Sequence, residues 1–339
     1  MTELLSPFLH PAPSAQIQSA SLHSVATSYI DYYASGSGHT ARAKRLDILH
    51  FLGFLASLKG YGKLEKLKVK DWDFSSVQRF VEDSLARGEA PATVCRRLAT
   101  LKHMGRTLAE KVAGFINPAR EVKGPKVAIG KPKGLSAKEI AGIKSRAEAR
   151  LGEKNSFIRL RNSILFDFLL DTGIRADEVR LLKLGQLDEK LAWIKNVRTK
   201  GRRYRNVYIT SEMKPRLLKY LGEREKILKK MYAKLSKIHD KSLPIFISTY
   251  NAVPGKAETF MMGAKTIWRA VNELTAGTSL HPHLLRHSYA LDLIDSSNDV
   301  RLVAQALGHS DVRITMRYTE RKDEEVASAL ERSRKRKKR

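Results

Sequence analysis

The sequence predicts a mainly α-helical protein with one small β-sheet, built as a helical N-terminal domain followed by a mixed α/β domain. Three observations predict it. Apolar residues recur near a 3.6-residue period through most of the chain. One glycine-proline-lysine stretch interrupts that pattern. A single pair of strand-like segments flanks a short basic turn.

Taken in order, residues 1–20 hold prolines, serines and alanines with little periodicity and are expected to form a loose arm. Residues 21–120 read as helices. His23 to Tyr33 carries Val25, Tyr29, Ile30 and Tyr33 at helical spacing, and Ala41 to Leu58 carries Leu46, Leu49, Phe51, Leu52 and Leu55. Ser75 to Ala86 repeats the pattern more briefly. Pro91 to Ala109 opens with a proline suited to a first helical turn and continues through Val94, Leu98 and Leu101. Arg96, Arg97, Lys102, His103 and Arg106 are interleaved with that stripe. Such a helix fits a phosphate backbone, and a solvated face explains it equally well. Residues 121–134, with Lys123-Gly124-Pro125-Lys126 and Gly130-Lys131-Pro132-Lys133, have linker composition.

The second domain spans residues 135–322 and should open at Ser136-Ala137-Lys138-Glu139, which has capping-box spacing. Ile164 to Leu170 is apolar except for Asp167, as in a largely buried helix, and Gly173 suits a left-handed cap. Leu191 to Val197 and Tyr204 to Ile209 form the two arms of a hairpin, with Thr199-Lys200-Gly201-Arg202-Arg203 between them. Met213 to Ile238 is a long basic helix. Thr266 to Leu274, His283 to Ile294, Val300 to Leu307 and Arg313 to Thr319 are further helical segments. Residues 323–339 hold a short helix and a basic tail.

Composition narrows the partners. The 339 residues include 63 Lys and Arg against 35 Asp and Glu, a formal net charge of +28. That excess calls for a polyanion, with nucleic acid the usual one and an anionic membrane surface the rival. No run approaches the roughly 18 apolar residues of a spanning helix. The first residues lack a secretory pattern, and Cys95 is the only cysteine, which excludes an internal disulfide. A soluble intracellular protein is expected.

The chemistry concentrates late in the chain. Thr172-Gly173-Ile174-Arg175-Ala176-Asp177-Glu178 sets an arginine three residues before a carboxylate. His283-Leu284-Leu285-Arg286-His287, Leu307-Gly308-His309 and Tyr318 follow. Cleaving a phosphodiester through a tyrosine requires cations on the non-bridging oxygens, because charge grows there in the transition state. Arginine suits this, since its planar fork grips two oxygens at once. A phenol with a pKa of about 10 also needs activation.

These motifs, T-G-x-R-x-x-E, H-x-x-R, L-G-H and the lone tyrosine in that order, resemble the tyrosine recombinase (phage integrase) family, Xer-like in its simple organisation. The resemblance implies that Arg175 and Arg286 bind the scissile phosphate and that Glu178 orients the site. It implies that Lys200 protonates the leaving 5′ oxygen. His283 would assist proton movement at the tyrosine, His309 would hydrogen-bond the phosphate, and Tyr318 would attack to leave a 3′-phosphotyrosine bond. His281 and His287 compete with His283, and His287 matches a position usually read as structural.

The resemblance further implies a core-binding domain and a catalytic domain that close as a clamp around duplex DNA. Four protomers would bind two sites and pass through a Holliday junction. Arg96, Arg97, Lys102, Arg106, Arg202 and Arg203 are the candidate DNA contacts, and Val326 and Leu330 the candidate contacts to a neighbouring protomer. The basic tail, Arg332 to Arg339, fits a backbone-binding arm, a nuclear signal in a eukaryotic host, or a solvated end. No metal, nucleotide or other cofactor is expected. The cytoplasm, with its nucleoid, is the expected location. Two rivals remain: a type IB topoisomerase-like monomer that religates the same strand, and a DNA-binding factor without catalysis.

Overall fold

Short-range chemistry sets the helix ends in the computed structural model, which describes residues 14–36, 38–127, 133–152, 156–199, 203–232, 241–275, 280–309, 311–319 and 327. The chain divides into two units, Met1–Ile129 and Gly130–Arg339.

The first unit contains α1 (Ser14–Ser19), α2 (Leu22–Tyr33), α3 (His39–Leu58), α4 (Phe74–Ala86) and α5 (Pro91–Ala109). The Ser21 hydroxyl caps α2 by accepting the Ser24 amide, and Asp73 caps α4 through the Ser76 amide. Pro91 stands in the first turn of α5, where its missing N–H leaves no helix bond unmade. The apolar stripes meet around Phe51, Trp72 and Phe80, whose rings lie edge-on, with Tyr29 and Leu101 fully buried beside them. The loose-arm expectation needs correction at its end: residues 14–19 are helical and Ile17 is buried in this core. The linker expectation also starts too early, since Val122 is buried in the same core.

The second unit contains α6 (Ala137–Ala149), α7 (Ser156–Thr172), α8 (Ala176–Val179), strands β1 (Trp193–Arg198) and β2 (Tyr204–Tyr208), α9 (Met213–Met231), α10 (Ala264–Asn272), α11 (Pro282–Ser297), α12 (Val300–Leu307) and α13 (Arg313–Met316). Ser136 and Glu139 form the expected reciprocal cap: Glu139 Oε2 accepts the Ser136 amide at 2.7 Å, and Ser136 Oγ accepts the Glu139 amide at 3.3 Å. The strands pair antiparallel, Trp193 opposite Tyr208 and Arg198 opposite Tyr204, with an irregularity between Ile194 and Val197. Helix α7 is the central element, buried on nearly all sides by α9, α10 and α11. Its single inward acid, Asp167, is reached by Arg216 and Lys144, which approach as ion pairs without hydrogen-bond alignment.

A smaller apolar cluster joins Ala290 and Ile294 of α11, Val303 and Leu307 of α12, and Tyr318. Among the described residues, no helix is long and apolar enough to cross a membrane.

Candidate active site

Two glycines bring the site together. Gly173 ends α7 at φ +58°, and Gly308 ends α12 at φ +64°, both in the left-handed region where a side chain is strained. Each is also crowded. A Cβ on Gly173 would meet the Tyr289 ring at 2.2 Å, and one on Gly308 would meet Arg205 Nη1 at 2.9 Å. These turns leave the last carbonyls of α7 and α12 pointing at a common place.

Arg286 fills that place. It is buried on α11, with Nη1 donating to the Gly173 carbonyl at 2.7 Å and Nη2 to the Leu307 carbonyl at 2.6 Å. Helix C-termini favour a cation, so the location suits it. Nη2 also lies 3.1 Å from His309 Nε2. A guanidinium only donates, so His309 Nε2 accepts. His309 Nδ1 then carries the proton and donates to Thr315 Oγ1 at 2.7 Å. Burial, followed by the charge on Arg175, pushes Arg286 down to about 9, which leaves it cationic at neutral pH. Burial and the Arg286 charge push His309 down to about 4, so it is neutral there.

Glu178 organises the second arginine. Its Oε2 accepts the Arg175 amide at 3.1 Å, and its Oε1 accepts Arg175 Nη1 at 2.8 Å. Oε2 also accepts Arg205 Nη2 at 2.9 Å. Burial raises the Glu178 carboxyl, but the bonds and charges of Arg205 and Arg175 outweigh it, and the net shift is downward. Arg205 was missed in the sequence, where it looked like one more basic residue of the hairpin. The signal was its strand phase. It is two residues before Val207, which faces the core, and a cation on a core face must have a partner.

Tyr318 is buried in the α11–α12 cluster, and its hydroxyl lies 2.6 Å from His287 Nδ1. Burial raises the phenol, while Arg286, Arg317 and Arg175 pull it down, so both motif arginines act on this tyrosine. The histidine at the hydroxyl is therefore His287. His283 lies one turn earlier on the same helix face and is exposed. Partial loss of hydration around its ring, then the Arg286 charge, pushes His283 down even so. A groove of about 940 Å³ beside Gly308 and His309 is bordered by Tyr204, Tyr208 and Arg203 of the hairpin and Leu302 of α12.

The structure thus gathers Arg175, Glu178, Arg286, His309 and Tyr318. Lys200, Arg202, Val326 and Leu330 lie outside the described residues. Of the expected DNA contacts, Arg106 is exposed and Lys102 half-exposed on α5, and Arg203 is exposed on the hairpin. Arg97 requires correction. It is 8 % exposed, with Nη1 2.8 Å from Glu89 and Nε 4.0 Å from Asp47, so it braces α5 from within. Arg96 also donates to the buried Asp47, through Nη1, while its side chain remains half-exposed.

Two arginines, a buried carboxylate linking one of them to the hairpin, and two histidines are thus gathered near a buried tyrosine. The model of the phage integrase family matches residues 135–325, more than half of the chain, and the chain belongs to that family. Its relatives include tyrosine recombinase XerC of Thermodesulfovibrio yellowstonii, 28 % identical over 291 residues covering 86 % of this chain and 88 % of that one. Tyrosine recombinase XerD of Lacticaseibacillus casei is 27 % identical over 296 residues, covering 86 % and 90 %.

Among solved structures, XerH recombinase bound to palindromic difH substrate in a post-cleavage complex matches with a TM-score of 0.65 at 18 % identity, over 91 % of this chain and 83 % of that one. The Tn1549 transposon integrase with circular intermediate DNA matches at 0.61 and 16 %, over 92 % and 99 %. At these identities the likeness establishes the shared fold.

Proposed function

We propose that the chain is a site-specific tyrosine recombinase that cleaves and rejoins duplex DNA through Tyr318. The observation that carries the reading is a buried phenol within charge reach of both motif arginines, one fixed by Glu178 and the other by two helix-end carbonyls. The scissile phosphate would sit against Arg175 and Arg286, which supply rigid donors where charge develops. Tyr318 would attack phosphorus to form a 3′-phosphotyrosine bond, and Lys200 would give the 5′ oxygen its proton. Exchanging one phosphodiester for another conserves bond energy, so the chemistry calls for no nucleotide or metal.

In this reading residues 21–120 are the core-binding domain, with Lys102 and Arg106 on phosphates. Residues 135–322 are the catalytic domain, where Arg202 and Arg203 flank the site. Val326 and Leu330 would contact a neighbouring protomer in a tetramer on paired sites, which resolves through a Holliday junction. The protein would act where its host keeps DNA, in a bacterium the cytoplasm.

The test is covalent trapping on nicked duplexes taken from the DNA flanking its own gene. Wild type is expected to give an adduct that survives denaturing electrophoresis, while Tyr318→Phe binds the same duplexes and gives none. An adduct of equal yield from Tyr318→Phe, or supercoil relaxation with no recombinant product, would overturn the reading.

A further inference from the structure

The Tyr318 hydroxyl and His287 Nδ1 are 2.6 Å apart, and both rings sit between α11 and the segment after α13. We propose that His287 is a catalytic residue, the base that takes the phenol proton when Tyr318 attacks. The proposal rests on the recombinase reading and names a group that the motif pattern leaves without a chemical role.

The geometry favours acceptance. Tyr318 is 6 % exposed and packed by Ala290, Ile294, Val303 and Leu307, so water has little access to its proton. His287 stands on α11 directly after Arg286, which fixes the acceptor on the same helix as the arginine that would bind the phosphate, while Tyr318 reaches it from the segment after α13. The groups facing His287 are His281, His283 and Arg286 from its own helix and cap, and Arg317 and Tyr318 from the opposing segment. Burial, then the charge on Arg317, pushes the imidazole down to about 4, so Nδ1 is free to accept at working pH.

The step balances. The Tyr318 Oη–phosphorus bond forms as the phosphorus–O5′ bond breaks. The phenol proton passes to His287 Nδ1, and the electron pair left on O5′ takes a proton from Lys200. On religation both protons return. A protonated His287 beside Arg286 and Arg317 readily gives its proton back, which suits a reversible transfer.

The first test needs no DNA. In the full chain with 15N-labelled histidine, NMR at neutral pH should show His287 with Nδ1 unprotonated and Nε2 carrying hydrogen. A proton on Nδ1 would make His287 the donor and overturn the proposal.

The second test is single-turnover cleavage of a duplex on which wild type forms the adduct. His287→Asn places an amide oxygen near the Nδ1 position, keeping the hydrogen bond without a site for the proton; His287→Ala removes both. Each should slow cleavage by about 100-fold or more. Each should also make the rate climb with pH from about 6 to 8, where wild type is flat, because hydroxide must then remove the proton. A substrate with sulfur in place of O5′ needs no leaving-group acid, so it should leave these variants slow while restoring Lys200→Ala.

Cleavage by His287→Asn at the wild-type rate or faster would mean that the contact merely holds the tyrosine, and recovery on the sulfur substrate would assign His287 to the leaving group. Either result overturns the proposal. A wild type that forms no adduct would instead sink the recombinase reading, while the tautomer measurement still stands.

Discussion

Replacing Glu178 with Gln removes one charge from a carboxylate that holds two arginines. Glu178 is 5 % exposed, and its partner Arg205 is 8 % exposed at the side chain. Arg205 has no other hydrogen bond among the described residues, since its Nε and Nη1 are buried without an acceptor. A neutral amide can accept from only one oxygen, so one of the three bonds to Arg175 and Arg205 is lost and the guanidinium of Arg205 is buried without a counter-charge. Breaking a buried pair in this way costs about 3–5 kcal/mol. For a unit of this size each kcal/mol moves the midpoint by about 2–4 °C, which gives a fall of about 6–20 °C.

Calorimetry on the full chain should show that fall. Adding Arg205→Met should recover part of it, because the orphaned charge is then gone. Cleavage should fall as well, because Arg175 loses its anchor. A Glu178→Gln variant within about 0.5 kcal/mol of wild type would refute the claim that this carboxylate is the joint of the site.

In the first unit, Asp47→Ala removes the buried partner of Arg96, Arg97 and Thr100 and should destabilise that unit by about 3–5 kcal/mol, measured by urea denaturation. A change below about 1 kcal/mol would show that Arg97 is held by Glu89 alone. Burial pushes Asp167 up to about 6, against the opposing charges of Arg216 and Lys144. A folded pKa above the ordinary value means that the protonated acid suits the fold. Its contribution is full below about pH 4 and is lost as pH rises through about 6, a swing of about 3 kcal/mol. Asp167→Asn should flatten stability across that window, and an unchanged pH profile would contradict the account. DNA affinity should fall with salt at a slope of about −0.9 per phosphate contact, and Arg106→Gln should reduce that slope by about one contact. An unaltered slope would remove α5 from the interface.

Much of this was legible in the sequence because the signals were local. The Pro91 start of α5, the Ser136–Glu139 cap and the left-handed Gly173 each depend on a few neighbouring residues, and each stands where the pattern placed it. The hairpin strands were legible for the same reason. Sequence spacing could not show which cations are already occupied. Arg96, Arg97 and Arg106 look alike in the chain, yet Asp47, some 50 residues away, engages the first two. The same limit hid Arg205, whose partner Glu178 lies on another element. It also hid the pairing at Tyr318: His283 and His287 share a helix face, and only the packing of α11 against α12 and the tyrosine segment chooses between them. The helicity of residues 14–19 was missed because a single buried Ile17 among polar neighbours leaves no periodic signal.

The central claim is that Tyr318 is the nucleophile. The most direct measurement is mass spectrometry of the trapped adduct after digestion of both the protein and the DNA. The account predicts a nucleotide 3′-phosphate on the peptide that contains Tyr318, and on no other. Modification of a different residue, or a phosphate joined through its 5′ oxygen, would contradict it.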